Sequence, residues 1–339
     1  MIKNSKLYDK IKEFIKNNYI MIIILGFIIF LFNFKLDYEI YTYGKPINLN
    51  KRIEVYAENN SEGNFYLTYV QARPGVIPFI LLSKILPSWD LVSLNDSRIE
   101  NESAEDIQLR GKIDLDTVNE YAIKNALDAA DISYIIDSKE IVVYYVFENA
   151  DTNLKIGDVI LNVDGIKVND MKDINSYINT KKDNDRVNIK VLRDGKEMEK
   201  YGIVKAKDDS KIIGLYLTTK FNITPSIKIK FKYKSGESGP SGGLMSALEI
   251  YNGITENDIT HGLNIAGTGT ITYDGEVGEI GGVKYKLLGA VKNGMDIFIV
   301  PDGDNYNEAL KIVNDNNYNI RLIKAKTFRQ VINDLNNLN

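Results

Sequence analysis

A serine on a glycine-rich turn is the first candidate for chemistry in this sequence. Ser241 lies in the run Gly236–Gly243, with the letters GESGPSGG. Alternating apolar residues predict a strand over Ile227–Tyr233, and helical spacing of apolar residues begins at position 244. A strand-to-helix turn exposes the serine hydroxyl beside the unpaired amides of the helix start, which can hold an oxyanion. Ser241 is therefore a candidate nucleophile, and Gly239 and Gly242 are candidates for the turn and for oxyanion binding.

Composition limits the base that could activate this serine. The 339 residues include no cysteine and one histidine, His261, which excludes disulfides, cysteine-based zinc sites and a thiol nucleophile. Gly239–Gly243 matches the Gly-x-Ser-x-Gly turn of α/β-hydrolases, which use serine, an acid and histidine in that chain order. His261 follows Ser241 closely, with only Asp258 as an intervening aspartate, so we expect a loop residue there. A secreted Ser–His esterase is one alternative, and lysine is the remaining base.

Two lysines lie in an apolar helical segment that suits a general base. A lysine accepts a proton at neutral pH only when burial lowers its pKa from about 10.4. Lys284 and Lys286 open a predicted helix among valines, leucines and alanines. The two positions differ by about 200° around a helix axis, so only one of them can face the serine. Periodicity leaves the choice open, and Lys284 lies if anything nearer the middle of the apolar stripe.

The segments that carry the serine and the lysines resemble the proteolytic domain of the Lon family of Ser–Lys peptidases. The similar segments are GPSGG with GLMSALEIYNG, then AGTGTITYDGEVGEIGGVKYKLLGAVKNG and IFIVP. The resemblance implies Ser241 as nucleophile, Lys286 as base and Thr268 as a hydroxyl that orients the lysine. The sequence departs from the family pattern at Gly242, where alanine is usual, and at Ser238, where many members carry an acidic residue or glycine.

The stretch from about residue 138 to 204 predicts a separate β-rich unit. A strand at Ile141–Val146 is followed by IGDVILNVDGIKV, a short helix, a strand at Val187–Leu192 and an RDG turn. This order resembles a PDZ domain of the bacterial protease-associated type, which implies a peptide or protein partner bound as an added strand. The expected binding loop, Phe147–Thr152, is short and lacks glycine. A non-catalytic PDZ scaffold is therefore a further alternative.

An uncharged apolar segment, Tyr19–Phe34, predicts a membrane anchor. It would cover about 24 Å as a helix, and flanking Lys16 and Lys35 can snorkel to complete a span of about 30 Å. No small-x-small cleavage site follows it, so we expect an anchor that is retained. Five lysines precede the segment (Lys3, Lys6, Lys10, Lys12 and Lys16), which predicts a cytoplasmic tail and an extracellular remainder.

The predicted organisation is α+β, with a PDZ β-barrel-like domain inserted into one discontinuous Lon-type domain. Few residues separate the PDZ stretch from Ser241, whereas an earlier segment offers a hairpin of Arg52–Tyr56 with Asn64–Gln71 and a helix at 114–130. The predicted parts are a tail at 1–18, a transmembrane signal anchor at 19–36, the N-terminal part of the Lon-like domain at 37–136, the PDZ domain at 137–205 and the catalytic part at 206–339.

The chain as a whole predicts a membrane-anchored serine endopeptidase that cleaves extracytoplasmic peptides or flexible protein segments. A net charge of −4 without a basic stripe gives no indication of nucleic-acid binding. No Gly-x-x-x-x-Gly-Lys-Ser/Thr phosphate loop is present, so we expect no use of ATP. The mechanism requires no metal and no cofactor. Assembly into a homo-oligomer is open.

Overall fold

The computed structural model describes residues 2–57, 61–94, 102–208, 210–234 and 236–338, with side chains from residue 7 onward. The chain divides into two compact units. The first consists of Met1–Tyr43 with Val70–Glu100, and the second of Gly44–Tyr69 with Asn101–Asn339.

The described residues form helices and strands with the following bounds. The α-helices α1 to α8 are Ile2–Asn33, Ile77–Ser83, Ala104–Ala129, Met171–Asn179, Gly243–Ile254, Val283–Lys292, Asp304–Asn316 and Phe328–Asn336. The strands β1 to β20 are Lys35–Tyr43, Ile47–Asn48, Ile53–Val55, Asn64–Leu67, Val70–Val76, Asp90–Ser93, Tyr134–Val146, Val159–Val163, Ile166–Lys167, Arg186–Arg193, Lys196–Ile203, Lys205–Lys207, Ser210–Ile212, Leu215–Pro225, Ile229–Phe231, Asn264–Gly267, Thr270–Ile271, Val277–Gly278, Ile297–Pro301 and Arg321–Ala325.

The first unit contains the apolar helix α1 and a three-stranded antiparallel sheet in the order β5-β1-β6. Within α1, Leu7–Asn33 is long and apolar enough to cross a membrane. The predicted anchor at 19–36 therefore begins inside a longer helix and extends past its end, because alternating charged and apolar residues from Lys35 onward form β1. Lys3 and Lys6 are two of the five lysines that precede the predicted anchor, and their side chains lie outside the described part of the chain.

Part of the second unit is a β-rich body with its own core. Its sheet has the order β11-β10-β8-β7-β14, with β9 paired to β8. Val143, Val163 and Ile189 are fully buried in its core. The β10–β11 hairpin turns at Asp194 and Gly195, both with positive φ, as a type I′ hairpin turn requires. Strands, helix and turn follow the order that the sequence predicts.

The remainder of the second unit is built on a five-stranded sheet in the order β2-β4-β16-β19-β20. Strands β4, β16, β19 and β20 are parallel, and β2 is antiparallel. Helix α3 packs against α5, and a Cβ added at Gly243 of α5 would lie 2.3 Å from Val118 Cγ2 of α3. Only glycine at this position allows the two helices to approach so closely.

The predicted hairpin of residues 52–56 and 64–71 is wrong. Strand β3 pairs with β15, whereas β4 pairs with β2 and β16, so the two segments belong to different sheets. Phe65 of β4 is fully buried, which suits an inner strand of a parallel sheet better than an arm of a surface hairpin. The predicted turn residues Asn59 and Asn60 lie outside the described residues.

The predicted N-terminal part of the Lon-like domain, 37–136, is divided between the two units. Residues 44–69 and 102–136 lie in the unit that contains Ser241, and residues 37–43 and 70–94 lie in the other. The helix predicted at 114–130 begins earlier, at Ala104, because the Ser103 side chain caps it by accepting from the Asp106 amide. The proposed domain boundaries themselves stay a prediction.

Candidate active site

Ser241 lies on a turn that is hydrogen-bonded to helix α3. Gly239, with a φ of +89°, donates its amide to the carbonyl oxygen of Gly111 in α3 at 2.9 Å. Gly242 then forms the N-terminal cap of α5 with a φ of −97°. Ser241 is partly exposed at this point, as a nucleophile requires.

The amides around the serine divide into engaged and available groups. The Gly239 amide already has an acceptor, so Gly239 shapes the turn and is not a free oxyanion donor. The amides of Ser241 and Gly242 donate no hydrogen bond to any described residue. A developing oxyanion at the start of α5 would therefore meet these two donors.

The structure gives Lys286 and Lys284 different environments. Lys286 is 4% exposed, and its Nζ donates to Thr268 Oγ1 at 3.1 Å. Burial lowers the pKa of Lys286 from 10.5 to about 8. Lys284 is partly exposed, with its Nζ 5.5 Å from the ring centre of Tyr285. Of the two lysines, Lys286 has the environment of a general base.

Thr268 connects this lysine to the nucleophile turn. It is fully buried, and its Oγ1 donates to the carbonyl oxygen of Ser241 at 3.0 Å. Its amide donates to Ile299 O at 3.0 Å, and the amide of Gly269 also donates to Ser241 O, at 2.9 Å. The structure thus brings together the three residues that the sequence assigns to the site.

Several residues that support the turn were not predicted from the sequence. Glu237 pairs with Arg52 at 2.8 Å, and Tyr233 Oη donates to Asn119 Oδ1 at 2.7 Å. Burial raises the pKa of Tyr233, so its hydroxyl stays a donor. Thr68 Oγ1 donates to Gly267 O at 2.9 Å, directly before Thr268. These partners lie far apart in the chain, and no local sequence pattern relates them.

His261 and Asp258 serve a different part of the fold. His261 is exposed on a turn with a φ of +51°, and its Nε2 lies 3.0 Å from the carbonyl oxygen of Leu335. Burial raises the pKa of Asp258, but hydrogen bonds from Thr260 and Ser61 outweigh it and lower the pKa to about 2. Both side chains of the hypothetical esterase triad thus have structural partners of their own.

Comparison with known proteins relates both parts of the second unit to described families. Residues 229–337 match the family model of the Lon protease (S16) C-terminal proteolytic domain, and residues 115–200 match that of the PDZ domain. The chain thus combines a segment similar to a PDZ domain with one similar to the Lon proteolytic domain, which confirms the resemblance and the α+β fold class that the sequence predicted.

Individual relatives match over short segments. The Lon protease of Mesomycoplasma hyopneumoniae (strain 232) is 36% identical over 95 residues, which are 28% of this chain and 11% of the relative. Lon protease 2 of Borreliella burgdorferi is 29% identical over 119 residues, or 34% of this chain and 15% of the relative. The chain thus spans only a small part of the curated relatives that it matches. Among solved structures, the PDZ domain of an SdrC-like protein from Listeria monocytogenes is 26% identical, with a TM-score of 0.22 over 24% of this chain and 90% of that one.

Proposed function

We propose that this protein is a membrane-anchored, ATP-independent serine endopeptidase with a Ser241–Lys286 dyad. The observation that carries the proposal is the buried amine of Lys286, linked through Thr268 to the turn of Ser241 by hydrogen bonds of 3.1 and 3.0 Å. With a pKa of about 8, a substantial fraction of this amine is neutral at physiological pH and can accept a proton.

In the proposed mechanism, the neutral amine of Lys286 removes the proton from Ser241 Oγ as this oxygen attacks the peptide carbonyl carbon. The oxyanion of the tetrahedral intermediate accepts hydrogen bonds from the amides of Ser241 and Gly242. Lys286 then transfers its proton to the leaving amine, and an acyl-enzyme forms on Ser241. A water molecule, deprotonated by Lys286, hydrolyses the ester. Thr268 holds the amine in place throughout.

The substrates in this proposal are extracytoplasmic peptides or flexible protein segments. The apolar stretch Leu7–Asn33 supports an anchor, and the lysines before it support a cytoplasmic N-terminus. The sequence carries no phosphate loop for ATP-driven unfolding, which favours chains that are already unfolded.

A peptide would dock on the PDZ domain at strand β14 and not at the predicted loop 147–152. Strand β14 ends the sheet, pairs with β7 on one side and lies beside helix α4. The segment 147–152 instead packs closely against Gly214, the residue before β14. A Cβ added to Gly214 would lie only 2.6 Å from Ala150 Cβ. Backbone groups on the outer edge of β14 before Thr219 suit strand addition, whereas further along Thr219 O accepts from Tyr121 and the Ile223 amide donates to Glu120 of α3.

The dyad is tested with the full chain in detergent micelles, a fluorescently labelled unfolded protein and no ATP. Ser241→Ala and Lys286→Ala should each lower the rate by about 10⁶-fold, as loss of the nucleophile or of the base does in other serine peptidases. Lys284→Ala is the matched control for lysine removal, Ser238→Ala controls for the second hydroxyl of the turn, and His261→Ala for the esterase mechanism. All three should retain activity. Proteolysis that survives Lys286→Ala would contradict the dyad.

Topology and assembly need separate measurements. The chain has no cysteine, so Lys10→Cys and Asn316→Cys each create a unique thiol. A membrane-impermeant maleimide added to intact cells should label Asn316→Cys but not Lys10→Cys, and the opposite pattern would reverse the proposed orientation. Light scattering in detergent would give the mass and so decide on a homo-oligomer.

A further inference from the structure

We propose that Arg110, Gly111 and Tyr144 are positioning residues that hold the nucleophile turn in its reactive place. Tyr144 belongs to strand β7 of the PDZ sheet, so the PDZ domain becomes part of the catalytic framework. This inference rests on the proposed function of Ser241, and the experiment below separates the two.

The first contact joins helix α3 to the nucleophile turn. The Gly239 amide donates to the Gly111 carbonyl oxygen at 2.9 Å, two residues before Ser241. A Cβ added to Gly111 would lie 3.1 Å from Ser238 Cβ and 3.2 Å from Ser238 Oγ, closer than ordinary van der Waals contact. Glycine at 111 therefore sets how closely the turn approaches the helix.

The second contact joins the same helical turn to strand β7. Tyr144 Oη donates to Asp114 Oδ2 at 3.1 Å and accepts from Arg110 Nη1 at 3.4 Å. The Arg110 guanidinium also lies 5.5 Å from the centre of the Tyr144 ring. Arg110 and Asp114 are four positions apart, so they share one helix face and bracket Gly111.

Arg110 is itself fixed by a nearly inaccessible carboxylate. Glu102 accepts from two guanidinium nitrogens of Arg110, one of them Nη2 at 2.6 Å, and its side chain is 1% exposed. Such a bidentate, charge-assisted pair has a defined geometry. The guanidinium of Arg110 is therefore held in one position. Because the Tyr144 hydroxyl binds this fixed group, it sets the position of helix α3 relative to strand β7.

Further along, helix α3 is packed between the PDZ sheet and the catalytic helix α5. On one side, the Ile223 amide of β14 donates to Glu120 Oε2 at 2.9 Å. On the other side, Val118 meets Gly243 at the start of α5. Close-packed interfaces of this kind transmit small displacements instead of absorbing them. A shift of β7 against α3 would therefore shift the turn that carries Ser241.

Tyr144→Phe tests the inference in the full chain, because it removes the hydroxyl and retains the ring. We expect kcat for a short fluorogenic peptide to fall about tenfold, since displacements below 1 Å at a reacting group are costly. KM should stay unchanged, and so should the pH midpoint, because Lys286 stays buried. The matched control is Tyr145→Phe, which removes the same atom from a ring that packs against Phe147. It should behave like the wild type.

Gly111→Ala tests the contact between helix α3 and the nucleophile turn directly. Alanine favours a helix interior over glycine, so the melting temperature should hold or rise. At the same time kcat should fall about 10- to 100-fold as the added methyl displaces Ser238 and Gly239. A merely structural role would move activity and melting temperature together, and that result would overturn the inference.

The outcomes also distinguish this inference from the proposed function. Wild-type kcat in both Tyr144→Phe and Gly111→Ala, with activity abolished by Ser241→Ala, would refute the positioning role and leave the dyad intact. Full proteolysis in Ser241→Ala would remove the proposed function itself, and the positioning role with it.

Discussion

The protonation of Lys286 predicts how the proposed activity depends on pH. Burial lowers its pKa from 10.5 to about 8, and only the neutral amine can take the serine proton. At this pKa roughly a tenth of the amine is neutral at pH 7, half at pH 8 and nine-tenths at pH 9. We therefore expect kcat/KM to rise about fivefold from pH 7 to 8, about twofold from pH 8 to 9, and then to level off.

The assay is the initial rate of cleavage of a fluorogenic peptide by the full chain between pH 6 and 10, at constant ionic strength. Lys284→Met provides the matched control, because it removes a lysine of the same helix that is partly exposed, and its profile should coincide with that of the wild type. A rate that increases about tenfold per pH unit up to pH 10 would indicate a lysine with an ordinary pKa. A rate already level at pH 7.5 would indicate a histidine. Either result would refute the reasoning.

Three further predictions concern the same site. Between about pH 8 and 10.5, Lys286 binds fewer protons in the folded protein than in the unfolded protein. Its burial therefore opposes folding by about 3 kcal/mol below pH 8. This cost becomes smaller as the pH rises from 8 to 10.5. Lys286→Met should therefore raise the free energy of unfolding at pH 7 by up to about 3 kcal/mol, measured by urea titration, and a large loss of stability there would contradict the burial argument. Thr268→Val removes the acceptor of the amine, so we expect a further lowered pH midpoint and a lower maximal rate, whereas an unchanged profile would exclude a role for the hydroxyl. Gly242→Ala introduces the residue that is usual in the family and brings a Cβ to 3.1 Å from Leu67 Cδ2. We expect the flexible leucine side chain to adjust, so the free energy of unfolding should change by less than about 1 kcal/mol. Activity should be retained, and parallel unfolding and cleavage assays check both expectations.

Elements with a local signal were predicted well from the sequence. The serine turn, the helix with the two lysines and the order of strands in the PDZ domain depend on nearby residues, and the structure has them close to the predicted positions. The asparagine-rich connection after Tyr56 looked like a hairpin by the same local criteria. It failed because a strand's partner is chosen by the whole sheet, and β3 pairs with β15 far along the chain.

The sequence by itself determined which residue types were available for chemistry: two serines on a glycine-rich turn, no cysteine, one histidine and two lysines in an apolar segment. It could not select Lys286 from its periodicity, which if anything favoured Lys284. The family resemblance implied Lys286, but only the tertiary structure supplies a physical reason, because packing between segments distant in the chain buries its amine and lowers its pKa. The same packing places Thr268 between Lys286 and the carbonyl of Ser241. Desolvation and hydrogen bonding of this kind belong to the assembled site and have no counterpart in the local sequence.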